Sequence, residues 1–205
     1  TCRACLRGED KGCVEHFLNF SLKGGFYGPG GFAEYKVHRS DGVFNVGDAP
    51  CDQAALAEPL SCAIHAARLL GARLGDTAVV FGAGTMGLLN MMVLKMSGLR
   101  VGVVDVNEGR LAKAKALGAD VILKSGPGIR DRVKAAFLGG VDYSIAAYGS
   151  EEVNQDALDV LNARGKICLF ASAHPVTPFS IDPNLMHNRE TSAVGVVSAD
   201  RRDHA

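Results

Sequence analysis

T-A-V-V-F-G-A-G-T-M-G, residues Thr77 to Gly87, decides how this 205-residue chain is read. The run Ala78–Phe81 is short, apolar and β-branched, as a buried strand requires. It leads straight into Gly82-x-Gly84-x-x-Gly87. An apolar stretch over Thr85–Ser97 then predicts a helix, and a second apolar run, Val101–Asp105, closes on an acid. A bare GxGxxG is common. One that follows a strand, opens a helix and is answered by an acidic residue about 20 residues further on has the full context of a dinucleotide-binding turn.

In that reading Gly82 permits the tight turn, Gly84 lets the backbone approach a pyrophosphate, and Gly87 allows helix and strand to pack closely. Free N–H groups and the positive end of the helix hold the phosphate charge. Asp105 accepts hydrogen bonds from the ribose hydroxyls and repels a 2′-phosphate, so NAD(H) is expected over NADP(H). The competing reading is a glycine-rich turn of some other α/β protein, with Asp105 merely solvated at a strand end.

Working outward, strands and helices alternate. Helix Glu108–Leu117 has Asn107 as its N-cap and Gly118 just past its end. Strand Val121–Leu123, helix Gly128–Phe137 and strand Val141–Ala146 follow. Ser150 caps helix Glu151–Leu161, whose first-turn acids suit the helix dipole. Strand Ile167–Phe170, a proline-rich loop (Pro175, Pro178, Pro183) and strand Ser192–Val197 complete the series. Six strands with intervening helices predict an α/β fold, a doubly wound parallel six-stranded sheet, over residues 57–205. Its first helix runs from Pro59 to Leu70, with Gly71 and Gly75 as stop signals. Residues 1–56 differ in character. Dense glycine and short strand-like pieces, Phe32–Val37 and Gly42–Val46, predict a separate β-rich part.

Hydrophobic content of 47% and charged content of 21% are those of an ordinary globular protein. A formal net charge of zero gives no reason to expect a nucleic-acid or anionic-membrane partner. The most apolar stretch, Met86–Met96, is interrupted by Asn90 and Lys95 and is too short to span a bilayer. Three of the six cysteines crowd the first thirteen residues, unlike an evenly spread disulfide framework, so a cytoplasmic location is expected. The chain opens at Thr1 without an initiator Met, which reads as part of a longer chain.

Cys2-x-x-Cys5 followed by Cys13 places three thiols on short turns that can converge on Zn²⁺. A closed structural site needs a fourth ligand, and reduced surface thiols or a disulfide are the alternative. Glu58, Cys62 and His65 stand at i, i+4 and i+7, one face of a continuous helix. Cys62 also suits a small core position and His65 lies among alanines and leucines. Glu58, at the helix start before Pro59, can face a cleft and is the metal candidate of the three.

Taken in order, Cys2-x-x-Cys5…Cys13, G-G-F-A-E-Y (Gly30–Tyr35), A-E-P-L-S-C-A-I-H-A (Ala57–Ala66) and G-A-G-T-M-G resemble the zinc-dependent medium-chain dehydrogenases. The branch of sorbitol (L-iditol) and threonine dehydrogenases is the nearest in pattern. The resemblance covers nearly the whole chain. It implies that residues 1–56 are part of a GroES-like catalytic domain with a structural zinc lobe. Cys2, Cys5 and Cys13 would be the last three of its four cysteines, the first lying upstream of Thr1. Glu58 would lie at the catalytic zinc, ligating it directly or through water, with the Cys and Gly-His-Glu ligands also upstream.

The resemblance fills out the cofactor site as well. Thr85 and Met86 join Gly82, Gly84 and Gly87 at the pyrophosphate, and Arg110 packs near the adenosine with Asp105. Phe170, Ala171 and Ser172, with Val196, Val197 and Ser198, supply backbone around the nicotinamide. Ser192–Val197 would pair with its twin across a dimer axis, giving a homodimer or homotetramer. The implied reaction is oxidation of a secondary alcohol, a polyol such as sorbitol, to a ketone by hydride transfer to NAD. L-Threonine or a sugar phosphate is the alternative substrate, and a non-catalytic NAD- and zinc-binding module the alternative role. With the upstream segment and the C-terminal end missing, the chain alone is expected to be inactive.

Overall fold

A computed structural model of the chain describes residues 2–9, 12–13, 33–35, 37, 43–176 and 178–204. The chain divides into two compact units, Thr1–Ser61 with Ser198–Ala205, and Cys62–Val197. Among its described residues the first unit holds two one-turn α-helices, α1 (Arg3–Leu6) and α2 (Cys51–Ala54), and a 3₁₀ turn, Arg201–Asp203. A longer helix, α3 (Ala57–Leu70), begins in the first unit and runs into the second. Near the end of the first unit, His204 stacks on the Phe44 ring with centroids 4.9 Å apart.

The second unit is a six-stranded parallel sheet. Its strands are β1 (Thr77–Phe81), β2 (Arg100–Asp105), β3 (Val121–Lys124), β4 (Val141–Ala146), β5 (Leu161–Leu169) and β6 (Ser192–Gly195). They lie in the order β3-β2-β1-β4-β5-β6. Neighbours are parallel throughout, with Ala78 opposite Val101 on one side and Tyr143 on the other. The crossovers are α4 (Thr85–Met96), α5 (Glu108–Ala116), α6 (Ile129–Ala136), α7 (Glu151–Asp159) and α8 (Pro183–Arg189). β1 and β2 are buried on both faces because helices cover both sides, which is why they read as unbroken apolar runs.

Val79 and Phe81 of β1 and Val104 of β2 pack with Ile129 and Val133 of α6 and Ala157 and Leu158 of α7. Ala78 and Val80 point to the opposite face by strand alternation. Gly102, in the middle of β2, makes room for Phe137. A Cβ there would lie 2.9 Å from two atoms of the ring. Arg100 lies over the same ring, its guanidinium carbon 4.8 Å from the centroid. Arg130 joins α6 to α7, reaching Asp156 and Asp159 at 2.6 Å each. The Asp156 hydrogen bond first, with the charges of Asp159, Asp156 and Asp131, outweighs burial, which pulls the other way, and holds its guanidinium above the usual range.

The predicted caps are present: Asn107 accepts from Arg110 N–H and Ser150 from Val153 N–H, and Gly118 follows α5 at φ +101°. Several boundaries differ from expectation, among them the last strand, which ends at Gly195 rather than Val197, and the first long helix, which starts at Ala57 rather than Pro59. The helix expected over Glu151–Leu161 stops at Asp159, because Val160 O accepts from Val141 N–H and Leu161 pairs with β4. β5 therefore starts at Leu161 rather than Ile167, and the register jumps from Val141↔Leu161 to Tyr143↔Lys166 across a bulge. The stretch read as a proline-rich loop contains α8, with Asp182 accepting from Asn184 N–H and Pro183 in the first turn.

The β-rich expectation for residues 1–56 falls mostly outside the described residues, and Val43–Val46 carry no strand pairing among them. No helix among the described residues is long and apolar enough to cross a membrane.

Candidate functional site

Strand order reverses between β1 and β4, and in open α/β sheets the crevice at the carboxyl ends of the strands there is where ligands bind. Gly82 ends β1 at φ +104°, a left-handed conformation that favours glycine, and its N–H donates to Val104 O at 2.8 Å. A side chain on Gly87 would run into Gly82 O, with Gly82 C at 2.9 Å, so α4 can sit this close to the turn only with glycine there.

Gly84 is different. It caps α4 at φ −70° and ψ −179°, backbone that any residue adopts, and a Cβ there would meet nothing within 4 Å. Among the described residues nothing requires glycine at this position. The space over it is open, at the end of a helix with no side-chain cap and no acid in its first turn. The first helical bond runs from Leu88 N–H to Gly84 O at 2.9 Å, which leaves the preceding N–H groups, those of Thr85, Met86 and Gly87, at the helix end. Such an end fits a diphosphate. Met86 O is in turn held by the Asn90 side-chain amide at 2.8 Å.

Asp105 is 6% exposed, so the picture of a merely solvated strand-end carboxylate does not hold. One oxygen accepts from Ala83 N–H at 2.6 Å and the other from Asn107 N–H at 2.8 Å. The carboxylate is thus fixed to the glycine turn and keeps lone pairs for another donor. The Arg110 guanidinium lies 3.9 Å away.

On the other side of the reversal, the N–H groups of Phe170 and Ala171 both donate to Ala146 O, at 3.2 and 3.1 Å. Neither N–H is therefore available outward, while Ser172 is exposed. Val196 N–H is bound to Leu169 O at 3.3 Å, and Val197 is exposed. Ser198 falls in the first compact unit, at φ +53°. Sequence reasoning overlooked the loop Ala147–Ser150 after β4. Its Ala147 N–H donates to Phe81 O at 2.9 Å and its Gly149 packs on the β5 loop. The signal available for it was a glycine directly before a capping serine.

In the first unit, Cys2, Cys5 and Cys13 come together, their sulfurs all within 4.8 Å of one another and all three half-buried. The Cys2 and Cys5 sulfurs lie 3.7 Å apart. The Cys2 backbone hydrogen bond pulls the Cys5 thiol down, but hydrogen bonds with Cys13 and Cys2 and burial outweigh it, so the net shift is upward. Three soft donors that crowd each other as thiols are a donor set suited to Zn²⁺. Glu58 is exposed in the first turn of α3, with Ser61 donating to its carbonyl at 2.6 Å. Cys62 and His65 are buried, and His65 Nδ1 takes a hydrogen bond from Arg68 at 2.7 Å. The three residues therefore do not share an environment along the helix.

Comparisons with known proteins agree with this architecture. The family described as zinc-binding dehydrogenase matches residues 85–204. The chain is 32% identical to a D-altritol 5-dehydrogenase of Agrobacterium fabrum, over 98% of this chain and 58% of that protein. It is 34% identical to an L-threonine 3-dehydrogenase of a Chelativorans species, over 89% of this chain and 52% of that one. A crystal structure of an Escherichia coli oxidoreductase of unknown specificity superposes with a TM-score of 0.84 at 26% identity, covering 99% of this chain and 58% of that one. The chain spans about half the length of the curated relatives it matches.

Proposed function

Since the chain belongs to the zinc-binding dehydrogenase family, we propose that its parallel sheet is the NAD(H)-binding part of an enzyme that oxidises a secondary alcohol, a polyol, to a ketone. The carrying observation is the pairing of an open Gly84 with an Asp105 anchored to the same turn. First-turn N–H groups of α4, with Thr85 and Met86 beside Gly82, Gly84 and Gly87, hold the diphosphate. Asp105 holds the adenosine ribose, its charge disfavours a 2′-phosphate, and Arg110 packs alongside. Phe170, Ala171, Ser172, Val196, Val197 and Ser198 are assigned to the nicotinamide end. Cys2, Cys5 and Cys13 are assigned to a structural Zn²⁺, and Glu58 to the neighbourhood of a catalytic one. When bound, NAD⁺ supplies a two-electron acceptor and zinc supplies a structural cross-link and Lewis acidity.

The polyol assignment leans on the D-altritol relative, and the threonine relative supports an amino-alcohol substrate as the second reading. Assignment of residues 1–56 to a catalytic domain and 57–205 to the cofactor domain belongs to the same proposal. So does dimerisation through Ser192–Val197: β6 pairs only with β5 among the described residues.

Titration calorimetry with NAD⁺ and NADP⁺ tests the reading. The chain should prefer NAD⁺, and Asp105→Ala should weaken NAD⁺ binding by about tenfold and erase the preference. Unchanged selectivity would take Asp105 out of its role. For the metal, zinc retained by Cys5→Ser after exhaustive chelation and reloading would remove the thiol cluster from the site.

A further inference from the structure

Gly149 stands where the loop after β4 meets the loop after β5. Its backbone is outside the left-handed region, so conformation does not call for glycine. Space does. A Cβ on Gly149 would run into Ser172 O, with Ser172 C at 2.8 Å and Ala173 Cα at 2.9 Å. All three are backbone atoms and cannot swing aside as the end of a side chain can.

The same short loop is tied at its other end to the glycine turn. Ala147 N–H donates to Phe81 O at 2.9 Å, and the Ala147 Cβ lies 3.6 to 3.7 Å from where side chains on Gly87 and Gly82 would begin. Ser150 then caps α7 through Val153 N–H at 3.2 Å, so the loop cannot slide along the chain direction. Ala147–Ser150 is therefore a bridge with one foot on the β1 turn and the other on Ser172–Ala173. The β1 and β2 ends take the adenosine half of a dinucleotide and the strands past the reversal take the other half. The bridge lies between the two.

We infer that Gly149 is a positioning residue for the nicotinamide half of the crevice: its bare backbone contact fixes Ser172 and Ala173 at the distance from the glycine turn that a bound dinucleotide requires. The inference rests on the dinucleotide reading. It concerns only the second half of the ligand, which lets the two be told apart.

The test compares NAD⁺ with ADP-ribose, which shares the adenosine, diphosphate and second ribose but lacks the nicotinamide. In Gly149→Ala the β5 loop is displaced. NAD⁺ affinity falls by about tenfold while ADP-ribose affinity stays within about twofold. Gly84→Ala, by contrast, places a methyl in the open space at the diphosphate and weakens both ligands alike. Equal losses for the two ligands in Gly149→Ala, or no loss for either, would overturn the inference. Failure of the unaltered chain to bind ADP-ribose sinks the dinucleotide reading and takes the inference with it.

Hydrogen exchange on the unaltered chain gives a second measurement that no folding defect can confound. Amides of 147–150 and 170–173 should slow together with NAD⁺ and not with ADP-ribose. Exchange that NAD⁺ leaves unchanged in either segment would refute the coupling.

Discussion

The two ends of the sheet are closed by different means. At the amino ends of the strands, side chains reach across and take backbone donors. Asp142 Oδ2 accepts from Thr77 N–H at 2.8 Å and from its hydroxyl at 2.7 Å. Asp120 accepts from Val101 N–H at 2.6 Å and from Lys95 at 2.8 Å. Tyr143 donates to Asp76 at 3.1 Å, and Lys166 to Leu70 O at 2.7 Å. At the carboxyl ends beside the strand reversal, where Asp105, Asn107 and Ser150 hold individual N–H groups, the turns approach one another through bare backbone at Gly82, Gly87 and Gly149. At the first end those side chains are engaged with the chain's own backbone and with one another. An end assembled from bare backbone keeps N–H groups and space available, and that asymmetry locates the site.

The comparison can be broken most directly at Gly87. Gly87→Ala forces α4 away from the Gly82 carbonyl and should cost about 3 kcal/mol of stability, read from denaturant unfolding. Next is Asp142→Ala, which strands the Thr77 N–H at the sealed end and should cost about 2 kcal/mol in the same assay. A neutral result there would mean that the amino-end network is ornament.

A smaller effect is expected from Tyr143. Burial first, then the hydrogen bond to Asp76, push its phenol from 10.0 up to about 12. The folded state thus favours the neutral phenol. The stability this contributes is intact below pH 10 and disappears as pH rises towards 12. Tyr143→Phe should flatten that alkaline decline; melting curves that fall equally steeply in both proteins would contradict the assignment.

Gly84→Ala should change stability least, within about 1 kcal/mol, since its Cβ meets no atom of the described residues within 4 Å. Were it as destabilising as Gly87→Ala, the distinction between a packing glycine and a ligand glycine would vanish.

Much of this architecture was legible in the residues. The six strands, the caps at Asn107 and Ser150, and the turn from Phe81 to Gly87 are local patterns, in which period, capping chemistry and glycine spacing fall within a few residues of one another. The misread boundaries have different causes. Leu161 looks like the end of an apolar helix face, and only pairing with Val141 makes it a strand residue. The helix after Asp182 did carry a legible signal, an Asp-Pro start, which the surrounding prolines masked. At the candidate site, spacing pointed to Asp105 but not to its hold on Ala83, and it gave no hint of the loop around Gly149.

The sequence by itself determined the strand–turn–helix at residues 77–96 and the need for glycine at Gly87, because sterics within one turn settle both. It also determined the α/β class, because alternating apolar periods leave little else. Only the tertiary structure decided that the Asp105 carboxylate is buried against Ala83 and that Gly149 must yield its side chain to Ser172. Those depend on segments brought together across the sheet, where distance along the chain carries no information about distance in space.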